Sequence, residues 1–248
     1  MIFSSIADIH GTLTLTINPC DVLCVCGDIV PTQIQKYSDE SFEWMEKRFL
    51  PWVNNQPCEK VLLIGGNHDF AIYNHPERVR SLFKDTKVTY LLDEEFVYTD
   101  KDGVSVKFYG SPWCHKFFNW AFMDYNDEQL KELFLKMPDD VDVLMTHDCP
   151  YGACDILLQE DMPWKTATKE HIGSKGLAEA VVERKPKVMV TGHLHTTSKL
   201  CEKLGDTDVY NTSVKDEYYN MSFAPHYFSV NADKVIELMN KEDFINPF

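Results

Sequence analysis

Residues 60–69 read Lys60-Val61-Leu62-Leu63-Ile64-Gly65-Gly66-Asn67-His68-Asp69. The short apolar run bounded by glycines reads as a strand buried on both faces. Two glycines then give the chain a flexible exit, and the next three residues offer a neutral oxygen, an imidazole and a carboxylate. The same grammar recurs along the chain. Ile2 to Ala7 runs into Asp8-Ile9-His10, and Asp21 to Cys26 into Gly27-Asp28. Val141 to Met145 leads to His147, and Lys187 to Thr191 leads to Gly192-His193-Leu194-His195. Helical patterns fall between several of these runs, at Ser38 to Val53, Pro76 to Phe83, Asn126 to Lys136 and Ser174 to Arg184, with Asn126 as an N-cap. This alternation predicts an α/β fold with parallel strand pairing.

A different rhythm governs other parts of the chain. Two β-rich stretches between Glu95 and Tyr109 flank Asp100-Lys101-Asp102-Gly103, a hairpin signal. Val209 to Asn211, His226 to Val230 and Lys234 to Leu238 read as further strands, the last two joined by a turn at Asn231-Ala232-Asp233. No repeat, low-complexity tract or charge block marks a boundary, so residues 1–248 are expected to form one domain. The irregular stretch from Cys149 to Ile172 is either a lid or substrate wall, or a surface excursion with its own small apolar cluster.

The polar loops carry the chemistry. An extended backbone would point Asp8 and His10 to one face while Ile9 faces the other way, and likewise His193 and His195. Either pair alone is a common turn or polar edge. Together with Asp28, Asn67 and His147 they make a mixed oxygen and nitrogen donor set, of the kind that holds two divalent cations at a displacement on phosphorus.

Bulk properties narrow the partners. The formal net charge of −15 argues against a broad footprint for nucleic acid. No apolar run reaches the length of a membrane span, and no signal-peptide pattern precedes Ile2, so a cytoplasmic protein is expected. The eight cysteines are scattered and show no CxxC spacing. Cys24 and Cys26 read as small buried hydrophobes rather than parts of an oxidised framework.

The ordered series D-x-H at Asp8, G-D at Asp28, G-N-H-D at Asn67, a lone His147 and G-H-x-H at His193 resembles the calcineurin-like metallophosphoesterase superfamily. The segments Gly110 to Trp113, Thr146 to Gly152 and His171 to Gly173 are similar to its branch of small metallophosphoesterase-domain proteins. Ala7 and Cys149 depart mildly from the usual residues at their positions. The resemblance implies a four-layer sandwich of two mixed β-sheets flanked by helices. It implies two divalent ions, drawn from Mn, Fe, Zn or Ni, with Asp8, His10, Asp28 and His195 around one and Asp28, Asn67, His147 and His193 around the other. It further implies in-line attack on phosphorus by a metal-bridging hydroxide.

His68 is the candidate general acid, since an imidazolium near neutral pH could protonate a leaving alkoxide. Asp69 either orients His68 or bonds nearby backbone amides. An aromatic stretch of Trp113, His115, Phe117, Phe118 and Trp120 offers rings that could stack on a base-bearing diester, though burial accounts for most such rings. His171 is a positional candidate within the H-x-G segment or a structural histidine. The expected substrate is a small phosphodiester such as a cyclic nucleotide. The alternatives are a phosphomonoesterase or protein phosphatase, and then a noncatalytic metal-binding interaction scaffold. Oligomeric state is not legible.

Overall fold

The computed structural model describes residues 1–157 and 170–240. Strands β1 (Ile2–Ile6), β2 (Cys20–Cys26), β3 (Cys58–Ile64) and β4 (Val88–Tyr90) lie side by side in parallel. The hairpin β5 (Glu94–Thr99) and β6 (Ser105–Ser111) follows, its turn held by Asp100, which accepts from the backbone of Asp102 and Val104. Next come β7 (Val143–Thr146), the short antiparallel pair β8 (Ile156–Leu157) and β9 (Glu170–His171), and β10 (Val188–Thr191). The last strands are β11 (Cys201–Leu204), β12 (Thr207–Asn211), β13 (His226–Val230) and β14 (Ile236–Leu238).

Two six-stranded mixed sheets result, in the orders β14-β13-β1-β2-β3-β4 and β11-β12-β10-β7-β6-β5. Each contains four adjacent parallel strands; antiparallel pairings add β13 and β14 at one end of the first sheet, and β11 and β5 at the two ends of the second. The helices are α1 (Ser38–Trp44), α2 (Leu50–Asn54), α3 (Phe70–Asn74), α4 (Pro76–Phe83), α5 (Asp127–Phe134) and α6 (Lys175–Arg184).

Strand β2 shows how the layers form. Val22, Cys24 and Cys26 face the space between the sheets, where they meet Phe108, Val143 and Val190. Leu23 and Val25 face the other way, toward Phe42, Phe49 and Val79 of the helical layer. On the outer face of the second sheet, Leu144, Met189 and Val209 pack on Leu130 and Phe134 of α5 and Leu177 and Val181 of α6. Three apolar layers therefore separate four layers of secondary structure, and a central strand must be apolar throughout because both its faces are buried. Phe3 anchors the middle layer, stacked on Phe228 at 4.6 Å and edge-on to Phe108 at 5.7 Å. Truncating such a ring to alanine typically costs about 3–5 kcal/mol.

The helix predicted over Ser38 to Val53 is interrupted. Met45–Phe49 forms a π-helical turn between α1 and α2, in which the Leu50 amide bonds five residues back to Met45. Pro51 is the physical reason, because it has no N–H for the Lys47 carbonyl and its ring needs the wider turn before it. α5 and α6 start at true caps: Asn126 and Gln129 form a reciprocal capping box, and the Ser174 hydroxyl accepts from Leu177. The elements β4, β11 and α3 were too short to leave a readable period. Of the segment Cys149 to Ile172 read as a lid or excursion, residues 158–169 lie outside the described residues. Among the described residues no helix is long and apolar enough to cross a membrane.

Candidate metal centre

The parallel strands of both sheets end at one place. Asp8 follows β1, Asp28 follows β2, Asn67 and His68 follow β3, His147 follows β7, and His193 and His195 follow β10. A bridge from Ala7 to Ser213 ties the two sheets there: the Ala7 amide donates to Thr212 at 3.0 Å, and the Val214 amide donates to Ala7 at 3.1 Å. Ligand sites gather beyond the carboxyl ends of parallel strands because the chain leaves the sheet there with loops free to carry polar groups.

The local geometry corrects one expectation. Asp8 and His10 do not share a face through extended alternation. Both occupy the left-handed region, at φ 60° and 40°, as do Asp28 at 55° and His193 at 69°. His195 opens a 3₁₀ turn, His195–Thr197. A non-glycine residue in this region costs roughly 1–2 kcal/mol, so four together persist only because their surroundings over-determine them. The loops after β1 and β2 supply part of that constraint. They run on as a distorted ladder, Asp8 N–H to Gly27 at 3.1 Å, His10 N–H to Asp28 at 2.9 Å and Gly11 N–H to Ile29 at 2.8 Å.

Each predicted ligand reaches the centre. Asp28 accepts the His68 amide at Oδ1, 2.8 Å away, and turns Oδ2 inward to lie 3.4 Å from His147 Nε2, 3.6 Å from His10 Nε2 and 3.9 Å from His68 Nε2. Asp8 accepts the His193 amide at Oδ2 and points Oδ1 to within 3.6 Å of His195 Nε2. Asn67 Oδ1 meets His147 Nε2 at 2.9 Å and His193 Nδ1 at 2.8 Å. Two imidazoles are oriented from behind by carbonyls that can only accept: His147 Nδ1–H donates to Cys26 and His195 Nδ1–H to Asp216, at 2.8 and 2.9 Å. Such partners fix the tautomer and aim Nε2 into the site.

The charges are strongly coupled. Burial works against ionised Asp28, yet the imidazoles of His147, His68 and His10 hold its carboxyl well below the usual range. Asp8 is likewise drawn down to about 2, burial being outweighed by His195 and His147. Burial alone would depress His147, but the charge and hydrogen bond of Asp28 push it up to about 10. Burial dominates at His10 and His193, which fall to about 4. A metal bound here would compete with the proton that Asp28 favours on His147.

The donors fit a metal on structural grounds. Asp8 Oδ1 and both ring nitrogens of His10 are buried with no hydrogen-bond partner among the described residues, an arrangement costly to leave unsatisfied. Three overlapping groups, Asp8 with His10 and His195, Asp8 with Asp28 and His147, and His10 with Asp28 and His68, each bring their ligand atoms within 4.8 Å of one another. His68 also bonds Gln35 through Nδ1 and lies 4.6 Å from the Trp120 ring.

Several neighbours had no reading in the sequence. Gln35 sits in a loop and Tyr219 in a turn, and the Cys26 and Asp216 contacts are made by backbone oxygens that any residue carries. The Tyr219 ring stands 4.9 Å from both His10 and His195. Asp69 takes the second of its two readings: it accepts the amides of Ile29, Val30 and Gly66 at 3.0–3.2 Å, while burial and then the Asp28 charge raise its carboxyl to about 7. Of the aromatic stretch, Trp120 faces His68. Trp113 donates to Asp93 and packs on Tyr73 and Phe122, and Phe117 and Phe118 are exposed. His115 bonds Asp148, and His171 bonds Asp155 outside the donor groups.

A family model for calcineurin-like phosphoesterases matches residues 3–197, a span that includes every one of these donors. The chain belongs to the calcineurin-like phosphoesterase family. It is 26% identical over 222 residues to metallophosphoesterase domain-containing protein 1 of Homo sapiens, covering 78% of this chain and 60% of that protein. It is 23% identical over 219 residues to a UPF0046 protein of Caenorhabditis elegans, covering 83% and 69%. The chain thus spans less than two thirds of the length of the human relative. In fold it is similar to the crystal structure of TT1561 of Thermus thermophilus, with a TM-score of 0.55, 12% identity, and 96% and 98% of the two chains covered. A two-sheet calcineurin-like phosphoesterase fold thus carries donor groups suited to divalent metal.

Proposed function

We propose that this chain is a metal-dependent phosphodiesterase with a binuclear centre, acting on a small phosphodiester such as a cyclic nucleotide. The observation that carries the proposal is the placement of Asp28 Oδ2 between two sets of donors, one around Asp8, His10 and His195 and one around Asn67, His147 and His193. Asp28 is the bridging ligand in this reading. The ions, when bound, supply Lewis acidity toward the phosphoryl oxygens and a nucleophile active at neutral pH.

The protein's own residues do the rest. His68 has one nitrogen on Gln35 and the other directed toward the Asp28 side of the site. As imidazolium it gives the Nε2 proton to the departing oxygen and keeps its Nδ1–H on Gln35, so the ring does not have to turn. Trp120 beside His68 and Tyr219 beside His10 and His195 offer apolar faces to a planar substituent. A diester brings one negative charge where a monoester brings nearly two, and the chain's net charge of −15 disfavours the second. The same charge disfavours nucleic acid. Residues 1–248 act as one unit in this proposal, in the cytoplasm, where the eight unpaired cysteines rest as thiols.

The test is metal analysis of purified protein, followed by assay of cyclic nucleotides, linear diesters and monoesters with Mn, Fe, Zn and Ni. About two ions per chain and preference for a diester are expected. Tight binding of no metal, or preference for monoesters, would overturn the reading at its first or second step respectively.

A further inference from the structure

Cys20 and Cys58 are the first residues of β2 and β3 and stand opposite each other in the parallel register. The metal centre lies beyond the other ends of these strands. Both side chains are half-buried and pack against the same apolar cluster beneath the helical layer, so they share one face of the sheet. The two cysteines are paired across adjacent strands, and the Lys87 ammonium stands beside Cys58 on its carbonyl. Lys87 is pinned there by the carbonyls of Gln56 at 2.7 Å and Cys58 at 3.1 Å. A half-exposed thiol beside a second thiol and a fixed cation has the surroundings of a nucleophilic cysteine, whereas an inert one is enclosed by apolar groups. Cys24, Cys26, Cys114, Cys149 and Cys154 are buried, and no lysine or arginine is held beside them among the described residues.

We infer that Cys58 is a peroxide-reactive thiol and Cys20 its resolving partner, together forming a reversible disulfide across β2 and β3. The Cys58 thiolate attacks one oxygen of a hydroperoxide, the O–O bond breaks, and Cys58 becomes a sulfenic acid as hydroxide or alkoxide leaves. The Cys20 sulfur then attacks the Cys58 sulfur, the S–O bond breaks and water departs, so the two thiols lose two electrons to the peroxide. The electrostatics agree with this order. The neighbouring Cys20 thiol and the Lys87 cation outweigh burial and draw the Cys58 thiol down, while Cys58 and burial push Cys20 up. Neighbouring strands run about 4.8 Å apart, within the separation a disulfide spans.

The test uses the whole chain and reads thiol chemistry, so it depends on neither metal nor substrate. Folded wild-type protein is treated with hydrogen peroxide and mapped by non-reducing peptide mass spectrometry. A linked Cys20–Cys58 peptide pair, lost on adding dithiothreitol, is expected. In Cys20→Ser, dimedone should label Cys58. Because that variant could fold poorly, the untreated wild-type protein is also alkylated with iodoacetamide at pH 7, where Cys58 should react at least about fivefold faster than the exposed Cys201. A wild-type map without the linked pair, or Cys58 reacting no faster than Cys201, overturns the inference.

Discussion

Adding one methyl group at Gly66 should dismantle the proposed metal centre. A Cβ there would lie 2.3 Å from Asp28 Oδ1, 2.5 Å from the Asp28 amide nitrogen and 2.7 Å from His147 Cε1. The Gly66 backbone is not in the left-handed region, so the whole effect of Gly66→Ala is one of space. Restoring ordinary contact requires Asp28 to move by about 1 Å, which is comparable to displacements that cost on the order of a hundredfold in rate. The movement strikes several functions at once: Oδ1 also holds the His68 amide, and Oδ2 is the oxygen shared by both donor sets. Overpacking of this kind typically destabilises by about 1–3 kcal/mol.

The control is Gly103→Ala in the β5–β6 turn. It meets no atom within 4 Å, although its φ of 84° makes alanine strained by roughly 1–2 kcal/mol. The two variants should therefore lose similar thermal stability when stripped of metal. Only Gly66→Ala should lose metal affinity, measured by equilibrium dialysis with elemental analysis, and about a hundredfold or more in diester hydrolysis. Wild-type metal content and turnover in Gly66→Ala would show that Asp28 does not hold the ions as reasoned.

Other consequences are separable. Asn67→Ala and His195→Ala should each weaken a different ion, read by anomalous diffraction, and loss of the same ion from both would refute the assignment of ligands to two sites. His68→Ala should retain both ions and lose about a hundredfold to ten-thousandfold on an alkoxide leaving group but far less on an activated aryl one; equal losses would make His68 a phosphate-positioning residue instead. His226, which lies outside the donor groups, gives a pH signature of its own, since burial, aided by the Lys199 charge, holds it down to about 4 from an ordinary 6.5. Its folded pKa is depressed, so its contribution is intact above 6.5 and is lost as pH falls toward 4, up to about 3 kcal/mol in all. Denaturant unfolding of wild type and His226→Gln across that window should show the difference between them shrinking by this amount.

Much of the architecture was legible in sequence because a strand buried on both faces must be apolar throughout, as Leu62 to Ile64 and Val188 to Val190 are. The residue types of the candidate site were legible for a related reason. Asp8, Asp28, Asn67, His147 and His193 each stand just where such a run stops, and polar residues at strand exits have no packing role to explain them. The family followed from the order of these exits. What sequence could not supply was the route by which they meet. Asp8 and His193, far apart in the chain, are joined by a 3.0 Å hydrogen bond from the His193 amide to the Asp8 carboxylate, which depends on two different sheets packing face to face.

The left-handed turns at Asp8, His10, Asp28 and His193 defy local propensity, so only the packed structure reveals that alternation is not what aligns these side chains. The choice between two roles for Asp69 was likewise tertiary, settled by amides from the loop after β2. The orienting groups on His147 and His195 are main-chain carbonyls, whose positions no residue type encodes. Sequence determined which donors exist and at which strand ends, because burial and chemistry act on residue identity. Tertiary structure decided which donors face one another, because that depends on sheet packing and backbone torsion rather than on the side chains themselves.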